Sequence, residues 1–359
     1  MKFKVISSIL TIALALSLTA CSSSAPEATK EEANTATPAA TQAPVTEEAP
    51  AAEDTTQYPL TIKHAYGETV IESKPERIAT ISWGNQDVPL ALGVVPVGVS
   101  EANYGVIDGS GLLPWTKEEF TKLGVEEPTL FHDTDGLDYE AISDVQPDII
   151  LAAYSGITRE EYDLLSEIAP VVAFPTMSWQ TYWRDQIILN ATGMGMKAEG
   201  EAVVAQLEQL IAEKTSTYPQ ISGKSAAFFY FNPSDLGKFY IYLPTDPRAA
   251  YLTDLGMEFP QSVLDLAQDS SSFALELSAE NVEVLKDIDV IIAYGDSSLL
   301  DALQADSLVG TIPAVQNGAV ALIEDGTPLA ASGTPSALSI PATIDDYLKL
   351  IGEAADKVK

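Results

Sequence analysis

The sequence predicts an α/β protein of two Rossmann-like lobes, each on a mainly parallel sheet, joined by a single long α-helix with a ligand cleft between them. Three observations carry this. First, Leu137-Asp138-Tyr139-Glu140 followed by AISDVQPDIILAAY recurs as Leu277-Ser278-Ala279-Glu280 followed by NVEVLKDIDVIIAY. Each copy reads as cap, first-turn Glu, short helix and apolar strand, and the two glutamates lie 140 residues apart. Second, residues 197–217 form one uninterrupted amphipathic pattern, with Val203, Leu207, Leu210 and Ile211 at helical spacing and Glu199, Glu201, Glu208 and Glu213 elsewhere. Third, strand and helix patterns alternate on both sides of that helix, as in parallel sheets, whose ligands bind beyond the carboxyl ends of strands. The divisions expected are 58–196 for the N-terminal lobe, 197–217 for the spine, 218–341 for the C-terminal lobe and 342–359 for a final helix.

Residues 1–20 read as a signal peptide, with Lys2 and Lys4 before a 14-residue apolar run too short to span a bilayer, which needs about 20 residues. Leu18-Thr19-Ala20-Cys21 resembles the lipobox of bacterial lipoproteins, which implies a lipidated Cys21 at the start of the mature chain. Cys21 is the one cysteine of the sequence, so no internal disulfide is expected. Residues 21–57 read as the lipidated Cys and a disordered linker rich in Ala, Thr, Pro and Glu. The formal charge is −33; two lysines in the leader, and seven acids against one lysine in the linker, leave −29 on residues 58–359. That excludes nucleic acid as a partner and keeps the body off an anionic membrane, which leaves the lipid as the only expected membrane contact.

Residues 58–71 read as a hairpin, 77–82 as the first sheet strand, and Trp83-Gly84-Asn85 as the turn into a short helix. Residues 94–99 are the next strand, and 100–135 read as a long irregular stretch carrying Tyr104 and Trp115, which suits a functional loop. After the strand ending at Tyr154 come a helix at 159–168, a strand at 171–174 and a helix at 178–191. In the second lobe, strands at 225–231 and 239–243 precede a helix opened by Asp246-Pro247-Arg248. A helix near Leu299, a strand at 319–323 and the final helix at 342–358 complete the chain.

Taken together, RIATISWGNQDVPLALGVVPVGV, LDYEAISDVQPDIIL, GITREEYDLLSEIAPVV, DPRAAYLTDLG and TIPAVQNGAVALIED resemble, in that order, the substrate-binding lipoproteins of bacterial ABC importers for ferric siderophores, relatives of the vitamin B12 and haem binders. The resemblance spans nearly all of residues 58–355. It implies a monomer tethered to the outer face of the cytoplasmic membrane that captures a ferric siderophore, tilts its lobes only slightly on ligand, and delivers it to an ABC permease. It implies that Glu140 and Glu280 dock on arginines of the permease; favouring the helix dipole is the plainer role for the same residues.

Four arginines occur, and Arg77 reads as structural. Arg248, Arg159 and Arg184 are candidate cleft cations and favour a ferric catecholate as ligand, because arginine holds its charge and donates to several oxygens. Trp83, Tyr104, Trp115, Tyr154, Tyr230 and Tyr242 are candidate stacking surfaces, and Asn85 and Asn232 candidate donors. Haem and cobalamin remain alternatives, with Tyr154 or Tyr230 as an axial haem ligand. Direct metal binding is not expected from two histidines, His64 and His132. No cofactor or enzymatic activity is expected: Gly295-Asp296-Ser297 resembles an esterase nucleophile block, but both histidines precede it and no G-x-S-x-G occurs.

Overall fold

The computed structural model describes residues 56–268 and 271–359. The expected signal peptide, Cys21 and almost all of the linker lie outside the described residues.

A hairpin of β1 (Leu60–His64) and β2 (Gly67–Ile71) leads into β3 (Ile78–Thr80), α1 (Asp87–Ala91), β4 (Gly98–Ser100), α2 (Pro114–Lys122) and β5 (Leu130–Phe131). Then come α3 (Tyr139–Asp144), β6 (Ile149–Ala152), α4 (Arg159–Ser166), β7 (Val171–Ala173) and α5 (Trp183–Gly193). The five sheet strands are all parallel, in the order β5-β4-β3-β6-β7. The stretch expected to be irregular holds α2 and β5. Leu112 and Phe120 bury apolar contacts there that alternate too briefly to be read as periodicity.

The spine is α6 (Lys197–Thr215), two residues shorter than expected. Leu207 and Ile211 are buried, while Glu199, Glu201, Glu208 and Glu213 are exposed, so the amphipathic pattern is realised. Gly200 lets α6 press onto α5, because a Cβ there would come within 2.5 Å of the Ala191 Cβ.

The second lobe contains β8 (Ala226–Asn232), β9 (Asp235–Tyr242), α7 (Pro247–Asp254), α8 (Gln261–Leu266), β10 (Ala274–Ser278) and β11 (Val290–Tyr294). It closes with α9 (Ser297–Ala305), α10 (Pro313–Asn317), β12 (Val320–Ile323), α11 (Pro328–Ala331) and α12 (Ser339–Ala355). Its sheet runs β10-β9-β8-β11-β12, parallel through β8, β11 and β12. The expected step from one parallel strand to the next fails at β9, which returns antiparallel beside β8 and pairs antiparallel with β10. A two-residue turn, Pro233-Ser234, cannot carry the crossover that a parallel pair needs. The second copy of the repeat forms a 3₁₀ helix over Ala279–Leu285 where the first forms α3.

The two lobes share one apolar core. Val88, Trp183, Ile187 and Ala191 from the first lobe are buried with Leu207 and Ile211 of the spine and with Phe228, Tyr251, Ile344 and Tyr347 from the second. Polar bonds stitch the same seam. Trp183 Nε1 donates to Asp254 (2.8 Å), and Arg184 pairs with both Asp254 (2.9 Å) and Glu208 (2.7 Å). Asp87 of α1, 1% exposed, accepts bonds from Trp115 Nε1 (3.1 Å), Thr116 Oγ1 (2.8 Å) and the hydroxyl of Ser336, which leads into α12.

Burial raises the Asp87 carboxyl to about 6, although its three donors work the other way. The folded state therefore binds this proton more tightly than the unfolded chain, so the stability it contributes is present below the ordinary carboxylate value and is lost as pH rises through about 6. Relative to Asp87→Asn, the parent protein should lose about 3 kcal/mol of unfolding free energy between about pH 4 and 7 in urea titrations. A difference that stays flat with pH would contradict the burial of an ionisable group at this seam.

Candidate functional site

Between the lobes lies a cavity of about 680 Å³. The first lobe lines it from the ends of successive parallel strands: Ser82 and Trp83 follow β3, Glu101 and Tyr104 follow β4, Asp133 follows β5, and Tyr154 and Gly156 follow β6. The second lobe contributes Tyr242, Arg248, Phe273, Tyr294 and Thr334. This is the position that parallel-sheet topology dictates for a ligand.

Among the described residues, Arg248 is the one cation lining the cavity. Its Nε and Nη2 donate to the two oxygens of Asp246 at 2.8 and 2.6 Å, and its Cζ lies 4.0 Å from the Tyr242 ring centroid. Burial opposes its charge, yet the Asp246 bonds outweigh burial and push the guanidinium pKa further up. Tyr242, Phe228 and Tyr294 pack edge to face or tilted behind it, with ring centroids 5.0 to 5.5 Å apart. Burial raises the Tyr154, Tyr242 and Tyr294 hydroxyls, so these phenols stay neutral. On the first lobe, burial also raises Asp133, partly offset by the Ser100 hydroxyl that binds it.

The lobes touch across the rim. On one side Gln180 Nε2 donates to Ser271 O (3.2 Å) and Tyr182 donates to Pro244 O (2.9 Å). On the other, Tyr104 donates to Asp325 and accepts from Gly326 N (3.1 Å). Burial, then the Asp325 bond, pushes Tyr104 up to about 12.

Of the residues expected to bind ligand, Arg248, Trp83, Tyr104, Tyr154 and Tyr242 line the cavity and six do not. Arg159 stays on its own lobe, bonded to Tyr66 O (2.9 Å) and paired with Asp163 (3.0 Å). Arg184 is spent on Asp254 and Glu208. Asn85 is fully buried: its amide donates to Ile81 O (2.8 Å) and Tyr154 O (2.9 Å), tying the ends of β3 and β6 together. Trp115 is buried in α2 against Asp87. Tyr230 and Asn232 lie on the exposed β8–β9 hairpin, where Asn232 Oδ1 accepts from Ser234 N (3.0 Å) as a turn residue. Arg77, read as structural, donates to Gln146 O (2.8 Å) and Val145 O (2.5 Å) at the end of α3. Gly295-Asp296-Ser297 is a helix start, with Asp296 accepting from Ser298 N (2.8 Å).

Three aromatic walls escaped sequence reading. Tyr294 ends VIIAY as Tyr154 ends IILAAY, so the repeat itself carried the signal. The helix expected over residues 178–191 begins only at Trp183, so Trp179 stands at φ +61° on the loop after β7, in edge contact with Tyr154 (5.3 Å). Phe273 immediately precedes β10, an antiparallel strand that the sequence pattern does not predict. Gly156 is the seat of Trp179, since a Cβ there would fall 2.2 Å from the indole nitrogen. Gly156→Ala should therefore displace the indole and alter near-ultraviolet circular dichroism, while the lost Tyr154 contact costs stability only about 0.5–1.5 kcal/mol. Unchanged dichroism would show that the indole does not rest on this glycine.

Residues 78–326 match the periplasmic binding protein family. A crystal structure of PiaA from Streptococcus pneumoniae TIGR4 in complex with ferrichrome is 51% identical, with a TM-score of 0.81 over 83% of this chain and 99% of that one. The probable siderophore-binding lipoprotein YfiY of Bacillus subtilis is 24% identical over 65% of this chain and 67% of its own length. The ferric enterobactin-binding periplasmic protein FepB of Escherichia coli is 25% identical over 74% of this chain and 84% of its own. Two α/β lobes around an inter-lobe cleft, the ordered motifs and these matches agree: the chain belongs to the periplasmic binding protein family, the substrate-binding components of ABC importers.

Proposed function

We propose that this protein captures a neutral ferric hydroxamate siderophore in its inter-lobe cleft and delivers it to the permease of an ABC importer. The observation that carries the ligand class is the charge of the cleft. Arg248 is neutralised by Asp246, and the other charged groups lining the cavity among the described residues are the carboxylates of Glu101, Asp133 and Glu161. A ferric tris-catecholate carries three net negative charges and would meet an acidic wall. Three hydroxamates cancel the charge of Fe(III), and the aromatic lining suits the apolar rim of such a chelate. The ferrichrome complex of the 51% identical PiaA points the same way. The catecholate favoured from the candidate cleft arginines therefore gives way to a hydroxamate. Of the two tyrosines considered as an axial haem ligand, Tyr230 lies outside the cavity lining and Tyr154 is buried against Trp179.

Tryptophan-fluorescence titration of the purified full chain tests this, since Trp83 and Trp179 line the cleft. Ferrichrome should quench saturably, and haem, cobalamin and a ferric tricatecholate should not. Quenching by haem or cobalamin alone would overturn the ligand class.

Delivery rests on Glu140 and Glu280, which lie exposed in the first turns of the two equivalent helical segments. Neither lines the cavity, which suits a role outside ligand binding. Glu140→Ala combined with Glu280→Ala should leave ferrichrome affinity intact while cellular iron uptake falls; undiminished uptake would refute docking through these carboxylates. Lipidation at Cys21 would tether the body to the outer face of the cytoplasmic membrane. No helix among the described residues is long and apolar enough to cross that membrane.

A further inference from the structure

We infer that Asp246 is a positioning residue that sets the charge class of ligand this cleft accepts; the inference rests on the hydroxamate reading above. Asp246 is 0% exposed, so its carboxylate contacts ligand nowhere and acts only through Arg248. One oxygen accepts from the Arg248 backbone N–H (2.8 Å) and from Nε (2.8 Å), and the other accepts from Nη2 (2.6 Å). These bonds use one edge of the guanidinium, and Tyr242 covers one of its faces at 4.0 Å. Arg248 lines the cavity beside Tyr294 as a planar donor whose charge is already cancelled by a buried anion.

Such a group can donate hydrogen bonds to a hydroxamate or peptide oxygen in a fixed direction, but it offers little net attraction to an anion. With the pair neutral, Glu101, Asp133 and Glu161 leave the cavity wall acidic. The cleft is therefore built to take ferric complexes of zero or positive charge and to reject anionic ones. Rejection comes from Asp246 as much as from the wall, because without it Arg248 would present its full charge in a half-buried site, where Coulomb interactions are several times stronger than in water. The same carboxylate caps α7 through the Arg248 N–H, so pairing and capping are separable by substitution: Asn and Ser can both keep the cap.

The test compares the purified full chain with Asp246→Asn and Asp246→Ser, each checked for folding by circular dichroism. Three probes are titrated: ferrichrome (neutral), ferrioxamine B (a trihydroxamate with a free ammonium) and ferric enterobactin (an anionic tricatecholate). The parent protein should bind the first two and disfavour the third. In either variant that folds, the preference should shrink by at least about tenfold, with enterobactin binding gained and weakened by added salt. An unchanged ratio in the variants would overturn the role of Asp246, and so would parent protein that takes ferric enterobactin as tightly as ferrichrome. Loss of all trihydroxamate binding in the parent protein would instead remove the hydroxamate reading, and this one with it.

Discussion

The apolar seam shared by the lobes is the constraint on which the rest of the structure depends. Ile187 of α5, Leu207 of the spine and Tyr347 of α12 are buried in one cluster, so neither lobe completes its core without the other. Burying side chains of this size stabilises the fold by roughly 1.5–3 kcal/mol each, and a wide hinge swing would return much of that surface to water. The cleft inherits this rigidity. Tyr104, Tyr242 and Tyr294 line the cavity and also pack against the same cluster, so the floor of the site is the outer layer of the core.

Polar groups at the seam act with the apolar ones. Asp87 reaches from α1 to Ser336, and Asp254 gathers Trp183 and Arg184, so buried or half-buried carboxylates fix how the lobes register. Each is fully occupied by donors, which is the condition under which a polar group can be tolerated in such a place. At the rim, Tyr104 to Asp325 and Tyr182 to Pro244 repeat the arrangement with exposed partners. Interior contacts thus hold the frame, and weaker surface ones border the opening.

The frame was legible in the sequence because it rests on periodicity and repetition. The spine pattern of Val203, Leu207, Leu210 and Ile211 and the paired units around Glu140 and Glu280 are local signals of single elements, and those elements form where expected. The antiparallel return of β9 was not legible, since FYIYL fits either pairing direction and only the tight turn before it decides. The cavity was legible in part. Strand ends identified Trp83, Tyr104, Tyr154 and Tyr242, but the side chain of a strand-end residue can turn inward: Asn85 does so because the ends of β3 and β6 leave backbone groups that need a partner.

The arginines show why residue type alone does not give the charge of a cleft. A chain with 52 acidic and 19 basic residues offers each guanidinium a carboxylate or carbonyl nearby. Arg77 finds the carbonyls ending α3, Arg159 finds Tyr66 and Asp163, Arg184 finds Asp254 and Glu208, and Arg248 finds Asp246. Local pairing captures a cation before a distant anionic ligand can, since a fixed carboxylate at hydrogen-bond distance costs no association entropy. An arginine in such a chain therefore reports a local acceptor, carboxylate or carbonyl, before it reports the charge its cleft presents. That charge depends on the partners of every group at the wall: Arg248 is held by Asp246, Glu101 by His132, and Asp133 by the Ser100 hydroxyl.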